Sequence, residues 1–292
     1  SIMKKSSIIG VLILCFAFWG KAQVRNEIRV PDPEGYRTLK CDFHIHTVFS
    51  DGLVWPTVRV DEAYREGLDA IALTEHLEYR PHRQDIIASH NRSYEIAEKT
   101  ARNNQVILIR GSEITRPMAP GHFNAIFLND CDALELPMIG TSDIHQPIQT
   151  DIDFARGQHR TMTFVFVRER SAEGIREALL HRRTAVYMDE KVIAEEQWLK
   201  ELFEKSIDIE DIKRNEKSIV ITLKNNSDLT FHLKKTRHNP GLVYFREYTI
   251  QPQCRHRIEI RLENNIQGGD INFEITNLYA APNKGLTYSY KV

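Results

Sequence analysis

The chain has 292 residues, 41% of them hydrophobic, which excludes a disordered or fibrous protein and allows a core divided between two domains. Its 39 basic and 40 acidic side chains nearly cancel, so composition gives no ground for a specific nucleic-acid partner or an anionic membrane surface. Any phosphate recognition must be local.

From Met3 the sequence runs MKKSSIIGVLILCFAFWGKAQ, where Lys4 and Lys5 precede an apolar run from Ile8 to Trp19 and Ala22 stands before Gln23. This pattern predicts a signal peptide over residues 1–22, cut after Ala22, and hence a periplasmic or secreted protein with no stable membrane insertion after cleavage. The apolar run is short for a bilayer span, and Leu14 before Cys15 is poorly suited to a lipid anchor. Cys41, Cys131 and Cys254 are too scattered for a disulfide framework and read as small buried apolar residues.

After a polar lead-in, residues 40–46 read as a first strand ending in His44 and His46. A helix opens at Trp55-Pro56-Thr57 and stops before Gly67. LDAIALTEH is apolar enough for a strand buried on both faces, and its end carries His76. A polar helix over about 85–102 leads to the strand QVILIR and then Gly111-Ser112-Glu113. Further strands are expected at GHFNAIFL, which begins with His122, and at PMIGTSDIH, which ends with Asp143 and His145. RTMTFVFV reads as a strand, Ser171 to Arg182 as a helix capped by Ser171, and IAEEQWLKELFEK as an amphipathic connecting helix.

This alternation predicts an α/β barrel or doubly wound sheet over about Lys40 to Met188, within a first domain of residues 23–205. From about residue 206 to 292 the texture changes to alternating strands such as KSIVITLKNNSDLTFHLKK, which predict a small antiparallel β-sandwich-like domain. Its His232, His238 and His256 read as strand-face or loop residues, without a catalytic constellation.

Eight metal-binding side chains fall at or near one predicted edge of the first domain: His44, His46, Asp51, His76, Glu113, His122, Asp143 and His145. On a strand, the i, i+2 spacing of His44 and His46 points both rings to one face, where they can grip one ion. Neutral imidazoles and carboxylates suit Zn, Mn or Fe, and eight such groups exceed what one ion needs. Two or three divalent metal ions are therefore expected.

In order, the stretches DFHIHTVFSDG, ALTEH, GSEIT, GHFNAIFL and GTSDIHQP resemble the motifs of the polymerase and histidinol phosphatase (PHP) family of metallophosphoesterases. With the leader and the C-terminal β extension, the chain is similar to the family's secreted bacterial phosphodiesterase branch. The resemblance implies a distorted (β/α) barrel. It also implies a first metal on His44, His46, Glu113 and Asp143, a second bridged by Glu113 and bound by His122, and a third on Asp51, His76 and His145. Glu113, His76 and Asp143 are then the expected catalytic residues. Arg80, His82, Arg116 and His159 lie near the ligand motifs and are candidates for contacting substrate phosphate, with a solvated surface position as the alternative for each.

One departure from the family pattern stands out. Only NDCDALELPMIGT separates Leu128 from Ser142, where the family carries further strand and helix units with a His-Pro motif that supplies the second metal. The barrel is expected to be short of units, with Asp130, Cys131 or Asp132 as possible substitutes for the missing ligand. The implied activity is hydrolysis of a small phosphate ester by metal-bound hydroxide, a diester in first place. Its alternatives are a phosphomonoesterase on the same scaffold and a non-catalytic metal-binding protein of the cell surface. A proofreading role beside a polymerase does not fit a chain with a leader and no polymerase region.

Overall fold

The computed structural model describes residues 25–77, 79–86, 89–114, 123–127, 141–153, 156–237, 239–281 and 284–292. The leader, His122, Arg116 and the segment expected to replace the missing ligand lie outside these residues.

The first strand, β1 (Arg37–Ile45), is buried from Thr38 onward, so both of its faces are covered. Leu39, Cys41 and Phe43 pack with Ala70 and Ala72 of β2 (Ala70–His76) and Ile109 of β3 (Ile107–Ile114). Val165 and Val167 of β5 (Met162–Val167) and Ile175 and Ala178 of α4 (Ala172–Leu180) complete that layer. On the opposite face Ile71, Leu73, Phe164 and Phe166 join Val60 and Ala63 of α1 (Pro56–Arg65) and Ala97 and Ala101 of α2 (Arg92–Asn103). Here β1 contributes Lys40, Asp42 and His44, which are polar and buried. A column of buried polar groups is costly unless each is partnered, and it leads to the site described below.

β1, β2 and β3 pair in parallel, as the alternating strand and helix pattern predicts. The neighbours on either side do not. β4 (Phe123–Ile126) runs antiparallel to β3, and β5 runs antiparallel to β1, so among the described residues the sheet is mixed. A parallel β5 would need a crossover of a dozen or more residues back to the start of β1. The described residues between β4 and β5 include the single turn of α3 (Ile148–Asp151), and β5 starts from the ligand-bearing edge and returns along β1. The strand expected at PMIGTSDIH is likewise replaced, over residues 141–147, by a loop that touches β1 through one parallel bridge, Ile45 to Ile144. The polar helix begins at Arg92 rather than about 85, because its buried face, Ser93, Ala97 and Ala101, is established only from there. Ser171 caps α4 as expected, accepting a hydrogen bond from the Gly174 N–H at 3.0 Å.

β6 (Thr184–Met188) and β7 (Lys191–Ala194) form a hairpin whose turn residues, Asp189 and Glu190, both have positive φ, 49° and 61°. The connecting helix expected from Ile193 therefore starts at Glu196, as α5 (Glu196–Ser206). It seats Trp198 against Phe166 of the first domain (ring centroids 5.0 Å apart) and Phe203 against Phe231 of the second (5.1 Å).

The C-terminal strands are β8 (Ile207–Arg214), β9 (Ser218–Asn225), β10 (Phe231–Lys235), β11 (Leu242–Val243), β12 (Glu247–Ile250), β13 (Arg255–Leu262), β14 (Asp270–Ala281) and β15 (Lys284–Lys291). One sheet runs β11-β13-β9-β8. The other strands continue the sheet of the first domain, because β14 pairs in parallel with β7 through Leu278–Val192 and Tyr279–Ile193. Inward-facing Ile219, Ile221, Leu223, Ile258 and Ile260 meet Phe231, Leu233, Ile271, Phe273 and Ile275 across a sandwich core.

Candidate metal centre

The ends of β1, β2 and β3 and the loop over residues 141–147 converge. His44 lies at the end of β1 and His46 just follows the strand, His76 closes β2, and Glu113 lies at the end of β3. Asp143 adopts φ +55°, a left-handed conformation that Asp tolerates, and its N–H donates to the His44 carbonyl oxygen at 3.1 Å.

Two sets of donor atoms result. His44, His46, Glu113 and Asp143 form one and His46, Asp51, His76 and His145 the other, with the donor atoms of each set within 4.8 Å of one another. His46 belongs to both, its ring stacked on His76 (4.5 Å) and on His145 (4.3 Å). A single oxygen, Glu113 Oε2, lies 2.9 Å from His44 Nε2, 3.1 Å from His46 Nε2 and 3.2 Å from His76 Nδ1. Asp143 Oδ1 is 3.2 Å from both His44 Nε2 and His46 Nε2. Asp51 reaches His145 Nε2 at 3.2 Å and His76 Nε2 at 3.4 Å.

Seven of the eight residues proposed as ligands from the sequence are thus side by side, and the eighth, His122, lies outside the described residues. The substrate candidates fare differently. Arg80 is half-buried beside the Asp51 loop, with Nε directed at the Phe49 carbonyl oxygen at 3.4 Å. His82 sits in the turn over residues 81–86, where its carbonyl oxygen accepts from the Asp85 and Ile86 N–H groups. The ring of His159 rests against Tyr187 of β6 and feels the charge of Asp228 from the C-terminal domain, so its contacts lie at the domain junction. Nearness in sequence to a ligand motif fixed its position but not its direction.

A solved two-domain protein from Bacteroides vulgatus, containing a predicted PHP-like metal-dependent phosphoesterase, is 48% identical to the chain. The match covers 93% of this chain and 100% of that one at a TM-score of 0.89. The chain belongs to the PHP-like metal-dependent phosphoesterase family. Residues 206–291 also match a family model described as an Ig-like domain, in keeping with the sandwich. A candidate metal-dependent phosphoesterase from Bifidobacterium adolescentis (26% identity) and an amidohydrolase from Chromobacterium violaceum (21%) each align with 30% of this chain and 26% of their own. At a TM-score of 0.23 neither carries an argument. No curated protein sequence matches.

The donor set of this PHP-like protein fits divalent ions. Among the described residues His46 Nε2 and Asp51 Oδ1 are buried without a hydrogen-bond partner, although charged atoms approach both within 3.2 Å. Imidazole nitrogens and carboxylate oxygens that crowd together off hydrogen-bond geometry are what ligands around a shared cation present. Outer partners fix which atoms face inward. His46 Nδ1 lies 3.2 Å from Ser50 Oγ, which donates to Glu75 Oε2 at 2.7 Å, leaving Nε2 as the ligand atom. His145 Nδ1 lies 2.9 Å from the Asp143 carbonyl oxygen, with the same result.

Glu75 also accepts from the Thr47 hydroxyl (2.6 Å) and N–H (3.1 Å), which binds the Asp51 loop to the end of β2. That loop closes at Gly52, where an added Cβ would come within 2.6 Å of the His46 and Thr47 backbone. Asp42 accepts from the His44 N–H (3.2 Å) and the Ser142 hydroxyl (2.5 Å), joining both ligand-bearing segments to the buried Arg160. None of Asp42, Ser50, Glu75 or Arg160 was singled out from the sequence. Glu75 and Ser50 had a signal in their places beside His76 and Asp51, and Arg160 had none.

Burial alone would lower the pKa of His46, but Asp143 and Glu113 outweigh it and raise the imidazole to about 9 in the metal-free protein. Burial would raise Glu113, yet the imidazoles of His44 and His46 hold its carboxyl well below the usual range; burial would raise Asp143 too, and His46 outweighs it and lowers that carboxyl. At pH 7 the acids are therefore ionised and His46 carries a proton that a metal must displace. Metal uptake is expected to release this proton and to strengthen as pH rises, levelling off above about 9. Titration calorimetry in buffers of different ionisation enthalpy reads the release; uptake without it contradicts the assignment of His46.

Proposed function

We propose that the chain is an exported, metal-dependent phosphodiesterase acting on a small phosphate ester in the periplasm or outside the cell. The observation that carries this reading is the sharing of His46 between two donor sets that also share contacts with Glu113. His44, His46, Glu113 and Asp143 would hold one ion and Asp51, His76 and His145 another, with Glu113 and His122 reserved for a further one. Bound divalent ions supply an acidified water and offset charge on the phosphoryl oxygens. The chain's own groups orient the ester. Asp143, with its side chain 55% exposed, marks where the donor set opens to solvent, and Arg80 offers N–H groups to phosphate oxygens from the Asp51 side.

Support for a diester comes from the rim. Leu53, Trp55 and Tyr79 are 54%, 45% and 56% exposed. The Leu53 N–H donates to the His145 carbonyl oxygen at 3.0 Å, and Tyr79 sets its ring edge-on to His76 at 6.2 Å. Apolar surface beside the ligands suits a phosphate that carries a second esterified group. Export is supported by the basic and apolar leader; among the described residues no helix is long and apolar enough to cross a membrane.

The full chain loaded with Mn, Zn or Fe is expected to cleave a bis-aryl phosphodiester faster than the matching monoester. The reverse preference makes it a phosphomonoesterase. Metal uptake with no turnover of either ester leaves the non-catalytic metal-binding reading.

A further inference from the structure

Arg59 on α1 is 1% exposed, and a guanidinium so deeply buried must have each donor answered. Among the described residues one carboxylate is within ion-pair distance, Glu62 one turn along the helix, 2.9 Å from Nη1. The remaining bonds go to main-chain carbonyls: Nε to His46 at 2.9 Å, Nη1 to Gln146 at 2.8 Å, and Nη2 to His145 at 2.8 Å and Ile144 at 3.2 Å. Two of those four carbonyls belong to ligand residues, and the other two flank His145.

The loop has other ties, but none of them spans its carbonyls: the Ile45–Ile144 bridge, the Asp143 N–H to His44, the Leu53 N–H to the His145 carbonyl, the Ser142 N–H and hydroxyl to Asp42, and the burial of Ile144. Glu62 extends the same fastening, since its Oε1 accepts from the Ile148 N–H at 3.1 Å. A lysine at position 59 could satisfy one or two of these carbonyls but cannot present the planar fork that spans both segments.

We propose that Arg59 is a positioning residue that locks the end of β1 to the loop over residues 143–146, fixing His46 and His145 in the geometry that binds divalent metal. This rests on the reading of those residues as ligands. The test compares Arg59→Lys and Arg59→Met with Val60→Ala, a truncation of a fully buried neighbour on the same helix that bonds no ligand segment. The readouts are Mn²⁺ affinity of the full chain and hydrogen exchange over residues 143–148 in the metal-free protein.

Both Arg59 variants weaken Mn²⁺ binding by about 10- to 100-fold, the usual effect of losing an outer partner of a ligand. They also speed exchange over 143–148, whereas Val60→Ala lowers the melting temperature and leaves both readouts at wild-type values. Wild-type exchange in a folded Arg59 variant, or equal loss of Mn²⁺ affinity in Val60→Ala, overturns the proposal. If Arg59→Met does not fold, Arg59→Lys, which keeps a cation beside Glu62, decides. A wild-type protein that takes up no Mn²⁺ defeats the functional reading instead, and exchange over 143–148 still judges the clamp.

Discussion

Glu113→Gln is expected to abolish metal-dependent hydrolysis while leaving the metal-free fold standing. The substitution keeps the volume of a fully buried side chain and removes its charge. Among the described residues it strikes the one oxygen that lies within 3.2 Å of His44, His46 and His76 together, so the first donor set loses an acid and the second loses the acid that its His46 and His76 contact. A bound ion supplies several kcal/mol of transition-state stabilisation, and a loss of roughly 4 kcal/mol is about a thousandfold in rate. The metal-free variant should fold but melt somewhat below the wild-type temperature at neutral pH, because the folded protein holds the Glu113 carboxyl ionised well below its usual range and a neutral amide forgoes that contribution.

What disappears is the stabilisation that added metal confers, worth about 2.7 kcal/mol when the ion is at a hundred times its dissociation constant. Thermal melts with and without Mn²⁺, beside an ester assay, check both halves. A variant that melts higher on adding metal, or that keeps its activity, removes Glu113 from the ligand set.

The parts of this site that were legible in the sequence are those where a polar side chain interrupts an apolar strand. His44, His46 and His76 stand out in this way because burial on both faces gives β1 and β2 many apolar residues around them, and the alternation of β9 announces the second domain just as clearly. Asp143 and His145 read as a motif on a strand, since nothing in PMIGTSDIH records that its last residues pair with β1 through one bridge and are otherwise held by Asp42 and a buried arginine on α1. Arg59 itself lies in a mixed polar and apolar helix, where a basic residue reads as solvated.

Pairing across large distances in the chain is equally silent. The joining of β7 to β14, which makes one sheet of the two domains, depends on Val192 meeting Leu278, and Asp189-Glu190 is an unusual pair for a turn with both φ values positive. His159 and Arg160 show the limit most plainly. Adjacent residues before β5, they turn in different directions, one to Tyr187 and the other to Asp42 and Glu66.

That second direction supports the largest stability effect expected of any single substitution here. Arg160 is 2% exposed and binds Glu66 through two nitrogens (2.7 and 2.6 Å) and Asp42 through a third (2.8 Å). Arg160→Met leaves two carboxylates buried without a cation, and removing one partner of a buried ion pair costs about 3–5 kcal/mol. The pH dependence identifies the cause. Burial already raises the Glu66 pKa against the pull of Arg160, and without the guanidinium the folded-state value climbs further above that of the unfolded chain. A carboxyl with a raised folded-state pKa adds stability below its unfolded value and loses it as pH rises through the folded one. The variant should therefore regain more stability than wild type on acidification from neutral pH.

Neutralising the acids as well, in Asp42→Asn/Glu66→Gln/Arg160→Met, should restore much of the loss, because a buried polar group without charge is far cheaper than an unpaired ion. Metal affinity should not recover with it. Asp42 holds the His44 N–H and the Ser142 hydroxyl next to Asp143, and an amide in its place cannot accept through both of its terminal atoms. Denaturant unfolding across pH, set beside Mn²⁺ titration of the same variants, separates the two roles. Parallel recovery of stability and affinity in the triple variant shows that Asp42 serves the fold alone.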